Sequence, residues 1–213
     1  MSPEEKQILS EIKTMVEKLL HHPIKSINPQ KINDKDAGET LETILGLKIN
    51  NSTGPDFKGA IEIKSKKSTA DTLFCKVQDK SISPYRTVKD VIERFGYVSD
   101  KYPNHKSLFI TINTKKNAQG FSHKINTKEQ VLEQFNNEEL ICRWSFATLH
   151  KCLSKKHPIT IWVDATESII GDEVHFTYNS YEVTSKPCCS TFRELINQNR
   201  IDYEWSGADH NSK

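Results

Sequence analysis

Three side chains within nine residues can do chemistry together: Asp56, Glu62 and Lys64. Hydrolysis of a phosphodiester needs a water made more basic, an in-line approach, and compensation for the charge that builds on the phosphoryl and leaving oxygens. Two carboxylates and an amine can meet those needs. Magnesium takes hard oxygen ligands and keeps several waters, so one or two carboxylates plus the substrate phosphate suffice to place it. Asp56 and Glu62 are the candidate ligands, and the backbone carbonyl of Ile63 is a further one. Lys64, an ammonium on a flexible stem, can orient or deprotonate the water and offset charge in the transition state.

This chemistry makes demands on the elements around it. On a strand, side chains two apart point the same way, so Glu62 and Lys64 share a face while Ile61 and Ile63 go into the core. Asp56 lies across a turn at Gly59, and its carboxylate comes alongside Glu62 only if the two sides pair as an antiparallel hairpin. Glu-x-Lys on a strand is also the spacing of an ordinary surface ion pair, so the context has to decide. That context begins with Asn50-Asn51-Ser52-Thr53-Gly54-Pro55, a dense turn signal directly before Asp56.

Elsewhere the pattern alternates helices and strands, an α/β (α+β) chain. Ser2-Pro3-Glu4-Glu5 is a capping box with proline at the first helical position, and Ile8, Ile12, Met15, Val16, Leu19 and Leu20 form one stripe down to His21-His22-Pro23. The two histidines complement the helix dipole. A polar stretch over 28–37 leads to a second helix over about Gly38 to Leu47. Thr87 to Phe95 reads as a capped helix stopped by Gly96. Ser107 to Asn113 and Gly120 to Thr127 read as strands.

Residues 128–145 fit either a helix through Val131, Leu132 and Phe135 or a hairpin about Asn136-Asn137-Glu138-Glu139. Phe146 to Lys155 has helical spacing, and Ile159 to Asp164 is a β-branched strand of the kind found inside a sheet. Gly171-Asp172 turns the chain into a hairpin partner over Glu173 to Val183. Thr191-Phe192-Arg193-Glu194 reads as a second capping box opening a last helix, and Gly207 to Lys213 as a frayed end.

Composition sets outer bounds. The 213 residues suit one folding unit, and 35% hydrophobic with 27% charged residues suits a folded domain. With no run of about 18 apolar residues and no basic-then-apolar start, the sequence predicts neither a membrane span nor a secretion signal, hence a cytoplasmic protein. Five cysteines at irregular spacing argue against a disulfide framework and a zinc site, with Cys188 and Cys189 in a strand-to-helix connection. The net charge of +2 is too small to mark a nucleic-acid binder. Basic residues nevertheless bunch at Lys64-Ser65-Lys66-Lys67, Lys115-Lys116 and Lys155-Lys156; Lys66, Lys67, Lys115, Lys116 and Arg193 are candidates for DNA contacts, though each is equally readable as solvated charge.

Pro55-Asp56 before a glycine-bearing turn, followed by apolar-flanked Glu62-Ile63-Lys64, resembles the PD-(D/E)xK nuclease motif. With the upstream run Gly38-Glu39-Thr40-Leu41-Glu42-Thr43-Ile44-Leu45-Gly46-Leu47 it is similar to the MvaI/BcnI-type restriction endonucleases, and more distantly to MutH-like repair nickases. Phe95-Gly96-Tyr97, the loop from Asn113 to Gly120, Trp144 before a helix, and Thr191 to Ile196 extend the likeness over most of the chain.

The resemblance implies a restriction-endonuclease-like core with a mixed central sheet flanked by helices. A catalytic lobe (about 1–145) and a smaller DNA-recognition lobe (about 146–213) would make up one single-chain unit. It also implies a Type II enzyme that uses Mg2+ on double-stranded DNA as a monomer, nicking each strand in turn at a short CC/GG-framed site. A DNA methyltransferase would accompany it. Glu42 is then the helix glutamate that approaches the metal site, with Glu39 the competing choice. The family pattern continues past the last helix into a basic base-reading segment, where this chain has Asp209-His210-Asn211-Ser212-Lys213. That departure keeps two alternatives in play: a MutH-like nicking enzyme, and a cleavage-deficient DNA-binding remnant.

Overall fold

The computed structural model describes residues 1–31, 33–47, 54–67, 72–100 and 102–208. In chain order its elements are α1 (Pro3–Glu17), β1 (Pro23–Lys25), α2 (Asp36–Ile44), β2 (Glu62–Lys66), α3 (Val88–Phe95), β3 (Tyr97–Ser99), β4 (Tyr102–Ile112) and β5 (Phe121–Asn126). They continue with β6 (Val131–Asn136), β7 (Glu139–Ser145), α4 (Phe146–Lys156), β8 (Ile159–Ile170), β9 (Glu173–Ser185), α5 (Cys189–Asn197) and β10 (Tyr203–Ala208). Two compact units form, each from two stretches of chain: unit 1 from Met1–Phe74 and Leu153–Pro187, unit 2 from Cys75–Cys152 and Cys188–Lys213. The boundaries fall there, rather than once near residue 145, because β8 and β9 return to pair with β2 and β1.

Unit 1 is a four-stranded mixed sheet, β1-β9-β8-β2, in which β2 and β8 run parallel and the other pairs antiparallel. Alternation decides which residues fill its core: Ile61 and Ile63 from the β2 segment, Ile159, Ile161 and Val163 from β8, and Val174, Phe176 and Tyr178 from β9 are all buried. Ile12 and Val16 of α1 and Ala37 and Leu41 of α2 close the same cluster. The Tyr178 hydroxyl donates to the Ala37 carbonyl at 2.8 Å, tying β9 to α2. Buried Asp36 anchors the start of α2 by accepting from the Asn28 side chain (2.9 Å) and from the Asn33 backbone (3.1 Å) and side chain (3.0 Å).

Unit 2 holds two three-stranded antiparallel sheets, β10-β4-β3 and the meander β5-β6-β7. Trp144 and Trp205 lie in its core. Each satisfies its indole N–H inside: Trp144 donates to the Lys76 carbonyl at 3.2 Å and Trp205 to Gln134 Oε1 at 2.9 Å. The α3 cap has the form expected at Thr87, whose hydroxyl accepts from Asp90 N–H at 3.1 Å while the Asp90 carboxylate accepts from Thr87 N–H at 2.8 Å.

Several elements depart from the sequence reading. The first helix ends at Glu17, a turn before the histidines, because Leu20 bridges Tyr178, His21 takes a left-handed φ of 65°, and its N–H donates to the Tyr178 carbonyl. Pro23 then opens the short strand β1 rather than merely stopping a helix. The second helix runs Asp36–Ile44, earlier than expected. Residues 131–145 resolve as a hairpin, with Asn137 at a left-handed φ of 52° supplying the turn. The last helix starts at Cys189, and Thr191 sits inside its first turn: Phe192 N–H already donates to the Cys188 carbonyl, so no threonine cap forms. Gly207 and Ala208 belong to β10, opposite Leu108 and Ser107, rather than to a frayed end. The turn over 50–53 and the tail from Asp209 lie outside the described residues.

Candidate active site

The Asp56 to Lys64 segment folds as a tight turn feeding a strand. Phe57 and Ile61 form a single antiparallel bridge, Phe57 N–H donating to the Ile61 carbonyl at 2.8 Å and Ile61 N–H to the Phe57 carbonyl at 3.2 Å. Between them Lys58 and Gly59 both take left-handed φ values, 51° and 66°, which favours glycine in the second place. The expected hairpin is thus reduced to one bridge, with a bridge residue rather than a strand on the Asp56 side. It still folds Asp56 back over β2, where Asp56 Oδ2 accepts a long hydrogen bond, 3.5 Å, from Ile63 N–H.

Glu62 is fully buried, with Lys64 on the same face of β2 and its ammonium 3.4 Å from Glu62 Oε1. A second ammonium, absent from the sequence-derived candidates, completes the cluster. Lys156, at the end of α4, places Nζ 2.9 Å from Glu62 Oε2 and 3.3 Å from Asp56 Oδ1, and donates to the Gly54 carbonyl at 3.1 Å. Both carboxylates therefore converge on one point in space. Neither Glu62 oxygen has a well-directed hydrogen bond among the described residues; what surrounds them is charge, with both lysines at ion-pair distance.

Burial pushes the Glu62 carboxyl up to about 7, the Asp56 carboxyl adds to the rise, and Lys156 and Lys64 pull against it. For Lys156 burial acts to lower the ammonium pKa, but the nearby Glu62 and Asp56 carboxylates outweigh it and the net shift is upward. Glu42 on α2, which packs against β2, feels the same cluster: burial raises its pKa, Asp56 raises it further, and Lys64 and Lys156 oppose. Glu39 instead pairs at 2.7 Å with Lys35, the residue that precedes the helix. Between the two competing glutamates, Glu42 has the site for its electrostatic neighbourhood.

Lys156 owes its place to the parallel pairing of β2 with β8, which sets Glu62 opposite Thr160 and so brings the α4–β8 turn beside the carboxylates. His157 pins that turn. Its Nε2 donates to the Leu73 carbonyl at 2.5 Å, which leaves Nδ1 to accept from the Thr160 hydroxyl at 2.9 Å, and its ring stacks on Trp162 with centroids 5.6 Å apart. No local motif announces this lysine. It stands in the Lys155-Lys156 pair ahead of a β-branched strand, and only knowledge of strand order would bring it to Asp56.

The donor set suits a hard divalent cation: two carboxylates aimed at a point already held by a positive charge, one of them buried without directed partners. Among the described residues no third His, Cys, Asp or Glu joins them closely enough to form a cage. Water and substrate oxygens would complete the shell, the arrangement magnesium prefers.

A profile of the MvaI/BcnI restriction endonuclease family matches residues 12–213. The chain belongs to that family. Membership places it among restriction endonucleases, nucleases whose target is DNA. Over its full length this family member resembles the solved complex of restriction endonuclease MvaI with its cognate DNA substrate, at 22% identity and a TM-score of 0.75, covering 88% of that chain. Against MvaI in the absence of DNA the identity is 21% and the TM-score 0.56, with 87% of that chain covered. At this identity the likeness establishes the fold, of the PD-(D/E)xK type. Among curated proteins no relative matches.

The basic residues singled out for DNA are distributed over both units of this restriction endonuclease. In unit 1, Lys66 lies 3.5 Å from Asp164, and Lys67 pairs with Glu167 at 2.9 Å while donating to the Asn33 carbonyl. In unit 2, Lys115 and Lys116 are exposed on a stiffly built loop. Its Asn117 carboxamide oxygen accepts from Gln119 and Phe121 N–H, Asn136 donates to the Gln119 carbonyl, and Asn199 Oδ1 accepts from Thr114 N–H and hydroxyl. Gly120 closes the loop at a φ of 90°, where a Cβ would meet the Asn137 side chain at 2.7 Å. Arg193 lies over the Phe146 ring, 4.4 Å from its centroid, and is half-buried.

Proposed function

We propose that this chain is a Type II site-specific endonuclease that hydrolyses DNA phosphodiester bonds with Mg2+, working as a monomer that nicks each strand in turn at a short CC/GG-framed site. The observation that carries the reading is the convergence of Asp56 and Glu62 on a single ammonium, at distances of 3.3 and 2.9 Å. Asp56, Glu62 and the Ile63 carbonyl are assigned as the metal ligands. When bound there, the metal would supply Lewis-acid polarisation of the phosphoryl oxygen and a more acidic water.

The chain's own groups do the rest. Lys64, 3.4 Å from Glu62, orients the attacking water and offsets charge on the phosphoryl oxygens. Glu42 adds negative potential from α2 and sharpens the site's demand for a cation. Unit 1 is assigned the role of catalytic lobe and unit 2 that of recognition lobe, with Lys115, Lys116 and Arg193 facing DNA there and Lys66 and Lys67 flanking the cut strand in unit 1. A rigid loop suits base reading because its side chains are ordered before binding. A companion methyltransferase and a cytoplasmic location belong to the same reading, and five free cysteines fit a reducing compartment.

Supercoiled plasmid incubated with the enzyme and Mg2+ provides the test. Linear DNA or fragments with shared ends, preceded by open circles at limiting enzyme, are expected, and chelation stops the reaction. Open circles alone would shift the assignment to a MutH-like nickase, and intact plasmid with a retarded band to a binding remnant.

A further inference from the structure

Lys156 takes no part in the chemistry assigned to Lys64, yet its ammonium is the point on which Asp56 and Glu62 converge. Among the described residues the Lys64 ammonium pairs with Glu62, whereas the Lys156 ammonium bridges both carboxylates and the Gly54 carbonyl. Its side chain is 18% exposed, so the contact is largely shielded from water. Without it two carboxylates would face each other in a buried place. With a divalent cation added, two ammonium groups and the ion would bring four positive charges against the three carboxylates Asp56, Glu62 and Glu42, an excess that release of one lysine would relieve.

We infer that Lys156 is the resident counter-cation of this catalytic site: its ammonium holds the position between Asp56 and Glu62 in the metal-free enzyme, and a divalent cation binds by displacing it. The inference rests on the metal-dependent reading of the site. The architecture permits the exchange, since His157 fixes the backbone next to Lys156 through the Leu73 carbonyl and the Thr160 hydroxyl. The flexible lysine stem can then swing away while α4 and β8 stay in place. Lys156 is thus a positioning residue that preshapes the carboxylates and sets the threshold for metal loading.

Two measurements on the full chain test this, with Ca2+ as the probe. Lysine acylation followed by mass spectrometry on the wild-type protein should show Lys156 slow to react without Ca2+ and several-fold faster with it. Lys25, paired with Glu173 on the surface at 2.6 Å, should not change. In calorimetry, Lys156→Met should bind Ca2+ roughly tenfold more tightly than wild type, and should melt lower without Ca2+ but recover when it is added. Ca2+ binding with unchanged Lys156 reactivity, or with equal or weaker affinity in Lys156→Met, overturns the inference and leaves the metal reading standing. Absence of Ca2+ binding in both proteins removes the metal reading and this inference together. If Lys156→Met does not fold, the wild-type acylation result decides.

Discussion

Unit 1 buries a carboxylate, Glu62, and surrounds it with the ammonium groups of Lys64 and Lys156, whereas unit 2 buries a histidine, His123, whose two ring nitrogens find no hydrogen-bond partner among the described residues. Both side chains are held against their ordinary protonation by burial, in opposite directions: Glu62 is raised to about 7 and His123 lowered to about 4. The cost is similar but the return is different. In unit 1 the strained charge lies beside other ionisable groups and attracts a cation; in unit 2 the strained ring lies on β5, opposite Gln134 of β6, as neutral filling of a scaffold. Charged neighbours alone do not mark a reactive site, since unit 2 also pairs buried Glu133 with Arg143 at 2.7 Å; what distinguishes Glu62 is a second carboxylate, Asp56, held at the same ammonium.

The largest effect that sharpens this contrast is catalytic. Asp56→Ala or Glu62→Ala should lower plasmid cleavage by about 10³-fold or more while DNA affinity, read by gel shift in Ca2+, stays within about threefold. Cleavage retained by either variant would break the assignment. Next, Glu42→Gln should reduce the cleavage rate about 10- to 100-fold and Glu39→Gln by less than about twofold, since Asp56, Lys64 and Lys156 act on the Glu42 carboxyl while Glu39 pairs with Lys35. The reverse ranking in single-turnover assays would move the role to Glu39.

A smaller effect appears in stability against pH. Between 4.5 and about 7 the folded chain holds a proton on Glu62 that the unfolded chain has lost, so Glu62 makes stability fall as pH rises through that window. Between about 4 and 6.5 the unfolded chain holds a proton on His123 that the folded one lacks, so His123 makes stability fall as pH drops. The two slopes oppose each other where the windows overlap. The unfolding free energy of Glu62→Gln, read from urea titrations, should therefore rise with pH from 5 to 6.5, and that of His123→Leu should fall, each by about 1 to 2 kcal/mol. Parallel profiles for the two variants would show that the units do not differ in this way. The smallest effect is on binding: Lys115→Ala and Lys116→Ala should each flatten the dependence of log affinity on log salt by about 1, without changing the rate of cleavage at saturating enzyme.

How much of this was legible in the sequence follows from distance along the chain. Asp56, Glu62 and Lys64 lie within one turn and one strand, where a two-residue period and a glycine suffice to place them. The capped helices α1 and α3 were legible for the same reason. Lys156 was not, because its nearness to Asp56 comes from a parallel pairing of β2 with β8 that nothing local encodes. The short strands β1 and β10 were missed because a proline, a glycine and few apolar residues look like loop until a neighbouring strand supplies their hydrogen bonds. Thr191 misled through a capping pattern that the helix had already passed.

The order in which the two units take up the chain has a consequence for synthesis. A ribosome releases Asp56, Glu62 and Lys64 long before β8 and β9, and β10 of unit 2 emerges later still. Neither unit can be finished while the nascent chain is short, so the paired carboxylates stay without their sheet until most of the polypeptide is made. For the same reason no single cut yields either unit whole, and a fragment carrying the nuclease motif alone should not assemble a cutting centre.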